Sequence, residues 1–104
     1  MQTETIAGIE LQFDDEGFLI DPMKWTEDVG AELAGQIDIS LTDDHWRVIK
    51  FARADFEESG ESPTVRRVST MADVPTKALY GLFPKKPAKK LAFIAGIPKP
   101  KGCV

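Results

Sequence analysis

A chain of 104 residues with 42% hydrophobic side chains makes one small domain with a modest core, and its composition excludes a disordered polymer. No apolar run approaches the roughly 18 residues of a membrane-spanning helix. The net charge of −4 hides a division: all 17 acidic residues precede Val74, among only six Lys and Arg, while residues 74–104 carry seven lysines and no acid. A basic terminal segment docked on an acidic body would account for this, and so would a basic rim serving an anionic partner or favouring a thiolate.

The single cysteine excludes an internal disulfide and fits a reducing cytoplasm. Residues 1–5 have neither a basic nor an apolar leader region, so no signal peptide is expected. Residues 6–13 alternate apolar and polar from Ile9 onward. Asp14, Asp15, Glu16 and Gly17 form a turn cluster before Phe18, Leu19 and Ile20. The pattern predicts a β-hairpin with a longer loop, whose apolar face must rest on helices.

Asp21 and Pro22 break the strand. Thr26 is the expected N-cap of a helix with Glu27 and Asp28 in its first turn, Val29 and Leu33 on one face, and Gly35 as its stop. Trp25 stands where a residue before the cap staples a helix to the core. Thr42 opens the strongest helix, with Trp46, Ile49 and Phe56 on one stripe and Gly60 at its end. The acidic group Asp55, Glu57 and Glu58 sits at its unfavourable C-terminal end and calls for Lys or Arg partners. Ser62 and Pro63 predict the start of a short helix through Val65 and Val68 to about Met71. Leu79, Tyr80, Leu82 and Phe83 predict another, stopped by Pro84. A last helix begins at Pro87, carries Leu91 and Ile94, and is capped by Gly96. The expected fold is mainly α (α+β): an N-terminal hairpin packed on about five short helices, with a helix-turn-helix-like pair over 42–58 and 63–71. The body spans residues 1–96 and a flexible C-terminal arm spans 97–104.

The arm carries the chemistry. Pro98 and Pro100 fix two φ angles and remove two donors, so it is neither helix nor central strand. At about 3.3 Å per residue it would take Cys103 about 20 Å beyond Gly96, and Gly102 would let it enter a narrow site. Lys99 and Lys101 lower the thiol's pKa, and the terminal carboxylate raises it. His45, the only histidine, reads as a surface or helix-start residue. One Cys and one His build no zinc site, and no phosphate-binding glycine loop is present. Arg66 and Arg67 open the second helix of the helix-turn-helix-like pair, but so acidic a body disfavours direct nucleic-acid binding. The two could instead support the arm or bind an anion.

The stretches Gly17-Phe18-Leu19, Trp25, Leu41-Thr42-Asp43-Asp44-His45-Trp46, Ser62-Pro63-Thr64-Val65-Arg66 and Leu82-Phe83-Pro84 resemble the TusE/DsrC family of sulfur-carrier proteins. So does the run from Lys86 through Ala95-Gly96-Ile97-Pro98-Lys99-Pro100 to Cys103, its most specific part. The resemblance covers nearly the whole chain and implies that Cys103 carries sulfur as a persulfide, with Arg66 approaching the arm in support and no cofactor. The implied partners are a TusBCD- or DsrEFH-like donor complex and an acceptor, either an MnmA-like tRNA 2-thiouridylase or a sulfite reductase. Two-thiol members have another arm cysteine where this chain has Ala92, so the resemblance implies single-cysteine, TusE-like transfer. The alternative is a DsrC-like docking partner or DNA-binding regulator of dissimilatory sulfur metabolism without two-thiol chemistry. The connection from Val68 to Pro75 is shorter than the family's usual one.

Overall fold

The computed structural model describes residues 2–101. Strands β1 (Gln2–Ile6) and β2 (Ile9–Phe13) pair antiparallel, from Gln2 opposite Phe13 to Ile6 opposite Ile9. Ala7 and Gly8, both at positive φ (51° and 79°), join them in a two-residue turn of the twist that hairpins favour. The expected hairpin is therefore displaced. Its loop exists, with Asp14 Oδ1 accepting from the Glu16 and Phe18 amides, but residues 18–20 return as one isolated bridge, Phe13 to Leu19. The main partner of β2 is the polar stretch before it. That stretch is exposed up to Ile6, so it carries no apolar alternation to announce a strand.

A 3-10 turn at Pro22–Lys24 leads to α1 (Glu27–Gln36), which Thr26 caps by accepting from the Val29 amide. The helix runs one residue past Gly35. Ile6, Leu11, Phe13 and Leu19 bury themselves against Val29 and Leu33, so the hairpin lies on α1.

Helix α2 (Asp43–Ser59) starts at Thr42 and ends at Gly60, in the left-handed region. Its buried face is His45, Val48, Ile49, Ala52 and Asp55. Trp46 and Phe56, expected on the central stripe, are half-buried at its margin. Two polar residues with fixed partners occupy that face, and a hydrophobicity pattern leaves them out. Helix α3 (Val65–Met71) begins two residues later than Pro63 suggests, because Thr64 is the cap and accepts from the Arg67 amide. Helix α4 (Thr76–Leu82) follows a tight loop in which Asp73 takes a positive φ and Val74 is buried.

Helix α5 (Pro87–Ala95) packs against α1, α2 and α4. Six of its nine residues are buried: Pro87, Ala88, Leu91, Ala92, Ile94 and Ala95. A helix apolar nearly all round belongs in the core. The C-terminal arm thus leaves from the most enclosed element of the fold. No helix among the described residues is long and apolar enough to cross a membrane.

Candidate functional site

The root of the arm is fixed by a cluster around Gly96. Gly96 closes α5 at φ 70°, and the Ile97 amide turns back to the Ala92 carbonyl (3.1 Å). Glycine is required twice here. A Cβ would strain a left-handed φ, and it would stand 2.3 Å from Cδ1 of Trp25. The other end of the Trp25 ring covers Gly30, where a Cβ would meet Cζ2 at 2.7 Å. Trp25 Nε1 donates to the Ile94 carbonyl (2.8 Å). Arg53 lies over the Trp25 ring at 4.2 Å and donates to the carbonyls of Ala95 (2.8 Å) and Pro22 (3.1 Å). Burial pushes its guanidinium below the usual arginine range, with Glu57 opposing that shift. A cation on the last carbonyls of α5 also suits the helix dipole.

Beyond Gly96, residues 97–101 lie along the body. Ile97 is 1% exposed and part of the core, and Pro100 is buried. Ser62 donates its hydroxyl to the Pro98 carbonyl. Lys99 Nζ pairs with Glu16 (3.2 Å) in the loop after β2, and Lys101 Nζ with Glu61 (2.8 Å) in the loop between α2 and α3. The Glu61 amide and carbonyl are in turn tied to the Ser59 hydroxyl. Prolines at 98 and 100 leave no amide donor to be orphaned on docking. Lys101 holds the Glu61 carboxyl below the usual carboxylate range, and Glu61 holds the Lys101 amine above its own.

Among the described residues the arm is thus tied to the body at Ile97, next after Gly96, where the Ile97 amide donates to the Ala92 carbonyl, and at Pro98, Lys99 and Lys101, with Pro100 buried between the two lysines. Gly102 and Cys103 lie outside the described residues. In this arrangement both arm lysines are spoken for by carboxylates, as a basic tail docked on an acidic body requires. Arg66 is not brought to the arm among the described residues. It is exposed and lines a depression with Thr64, Tyr80 and Lys86. Arg67 is occupied: its Nε and Nη2 form a bidentate pair with the buried Asp55 carboxylate (2.8 and 2.7 Å). This supplies the cation that the acidic end of α2 needed.

His45 is a helix-start residue, but a buried one, 6% exposed. Its Nδ1 accepts from the Thr42 amide (3.1 Å), and its Nε2 lies 2.8 Å from the Leu82 carbonyl. Those partners assign the neutral Nε2–H tautomer. The ring closes a capping box and meets Phe83 edge-on at 5.2 Å. It joins α2 to α4 and is remote in role from the arm.

Sequence reasoning missed Arg53, Glu16, Glu61 and Ser62. Their only signal was an acidic, loop-rich body facing a basic tail, which specifies no pairing.

These features define a small helical body with a terminal segment, leading to a single thiol, laid against it. The comparisons agree. The family described as DsrC like protein matches residues 5–104. The sulfurtransferase TusE homolog of Haemophilus influenzae is 39% identical over 95% of this chain and 97% of its own length. Sulfurtransferase TusE of Escherichia coli K12 is 38% identical over 93% and 95%. Among solved structures, DsrC of Allochromatium vinosum superposes with a TM-score of 0.86 at 36% identity, covering 98% of this chain and 97% of that one. The oxidized gamma-subunit of dissimilatory sulfite reductase from Archaeoglobus fulgidus gives 0.81 at 35%, covering 99% and 100%. The chain belongs to the DsrC-like family.

Proposed function

We propose that this protein is a sulfur-relay carrier of the TusE type, with Cys103 as the sulfur-bearing thiol. One observation carries the reading: the chain matches proteins named sulfurtransferase TusE over nearly its full length, and its only cysteine lies within the matched span. In the loading step the Cys103 thiolate attacks the outer sulfur of a donor persulfide. A bond forms between Cys103 Sγ and that sulfur, the donor's S–S bond breaks, and the donor leaves as its thiolate. Electrons balance within the exchange, so no external oxidant is required. An acceptor thiolate then takes the outer sulfur in the same way.

The docked arm bears on the first step. Lys99 and Lys101 favour a nearby thiolate most when they are free of Glu16 and Glu61, so lifting the arm releases two cations as it presents the thiol. The donor is a TusBCD- or DsrEFH-like complex. The acceptor is an MnmA-like tRNA 2-thiouridylase, which places the protein in cytoplasmic tRNA 2-thiouridine synthesis. By the family resemblance Ala92, buried in α5, takes the position of the other cysteine of two-thiol members, which favours this single-thiol relay over the sulfite reductase branch.

Incubation with a small-molecule persulfide donor, followed by intact mass measurement, tests the reading. One sulfur, about 32 Da, is expected on the protein and absent from Cys103→Ser. An adduct that persists in Cys103→Ser, or none on the wild-type chain, overturns it.

A further inference from the structure

The relay reading uses the arm and leaves unexplained where the other lysines of the C-terminal third gather. Lys85, Lys86, Lys89 and Lys90 all line one open groove of about 360 Å³. Its floor is apolar: Phe18, Ile37 and Phe93, with the two phenylalanines in edge-to-face contact at 6.4 Å. Its far rim is Glu16, the residue that holds Lys99 of the arm. Lys90 reaches the Pro84 carbonyl. The side chains of Lys85, Lys86 and Lys89 make no hydrogen bond or ion pair among the described residues.

Folding alone does not ask for these cations. Lys85 and Lys86 both adopt left-handed backbone, φ 59° and 46°, where Gly or Asn would serve at lower cost. All 17 acids of the chain lie earlier in the sequence, and the only one that lines this groove is Glu16, already paired. The result is a positive rim over an apolar floor on an otherwise acidic molecule.

We propose that this groove docks an acidic, amphipathic segment of a partner protein. Its apolar side chains would cover Ile37 and Phe93, the half-buried part of the floor, and its carboxylates would pair with Lys85, Lys86 and Lys89. Charge complementarity selects an acidic occupant. The floor selects an amphipathic one, since a free anion or a phosphodiester backbone leaves it uncovered. Phe18 is 2% exposed and packed edge-on against Phe93, so of the two rings of the floor only Phe93 is open to a partner. A segment seated here lies directly beside the docked arm, with Glu16 between them. The inference goes beyond the relay reading and does not involve the thiol.

The probe is a fluorescent synthetic peptide with Leu and Phe on one helical face and Glu on the other, titrated into the full chain. Anisotropy gives the affinity, and amide chemical shifts map the site. We expect saturable, salt-sensitive binding with shifts at Phe18, Ile37, Lys85, Lys89 and Phe93. Lys85→Glu/Lys86→Glu/Lys89→Glu weakens it about tenfold or more, and Lys89→Gln weakens it less. Arg66→Ala and Cys103→Ser bind as the wild type does, so failure of the groove and failure of the relay are read separately. Three results overturn the proposal: no saturable binding up to about 1 mM, equal binding of a poly-glutamate peptide, or tighter binding of single-stranded RNA through the same lysines.

Discussion

Trp25 and Gly96 are in direct contact, the indole filling the space that any side chain at position 96 would occupy. Trp25 precedes α1 and Gly96 ends α5, so this contact sets where the arm leaves the body. Gly96→Ala should cost about 2 kcal/mol or more, from the left-handed φ and the clash together. In a Trp25→Ala background the same substitution should cost only about 1 kcal/mol, the backbone part. Urea unfolding of the four proteins measures the coupling. Equal costs in both backgrounds would show that the indole does not set the requirement.

Arg53 ties the same root to α2. Arg53→Met keeps much of the side chain's bulk but leaves the Ala95 and Pro22 carbonyls without this donor and removes the cation from Trp25. The expected loss is about 2 kcal/mol. Hydrogen exchange at the Ile97 amide, bonded to Ala92, should speed up by more than exchange in the centre of α2. Uniform acceleration across the chain would mean that Arg53 supports the whole fold and not the root in particular.

His45→Ala should destabilise the protein by about 2–3 kcal/mol. It removes the reciprocal half of the cap and leaves the Leu82 carbonyl without its donor. His45→Glu restores an acceptor for the Thr42 amide, as in the usual capping box. It brings no donor for Leu82, so it should recover only part of the loss. Thermal unfolding decides this, and full recovery by glutamate would discount the Leu82 bond.

The clasp between Glu61 and Lys101 should depend on pH in a defined direction. The Glu61 pKa is depressed in the folded protein, so its contribution is complete above the ordinary carboxylate range and disappears as pH falls through the lowered value. The Lys101 pKa is raised, so its contribution is complete below the ordinary amine range and disappears as pH rises through the raised value. The pair therefore holds across neutral pH and opens at both extremes. Carbon-detected titration of the Glu61 carboxyl should give a higher midpoint in Lys101→Met than in the wild type. An unchanged midpoint would mean that the two side chains do not pair in solution.

Much of the fold was legible in the sequence because its signals are local. Thr26, Thr42, Gly60, Pro87 and Gly96 mark helix ends through their own backbone preferences and nearby amides, and they stand where expected. The misreadings have equally physical sources. β1 is polar and exposed, so only its pairing with β2 reveals it. Ser62 looked like a cap because proline follows it, yet Thr64 takes that role and Ser62 is turned to the arm. His45 and Asp55 are buried polar residues, whose burial depends on Leu82 and Arg67 arriving from elsewhere in the chain.

By itself the sequence determined that one thiol ends a proline-stiffened, basic segment on a small acidic body, because composition and backbone chemistry are properties of the chain alone. It also carried the family resemblance, which the comparisons bear out. Only the tertiary structure decided which carboxylates meet Lys99 and Lys101, that Trp25 and Arg53 fix the arm's root, and that four lysines converge over Phe18, Ile37 and Phe93. Those pairings join residues as far apart as Glu16 and Lys99, and which distant residues meet depends on how α5 is enclosed by the other helices.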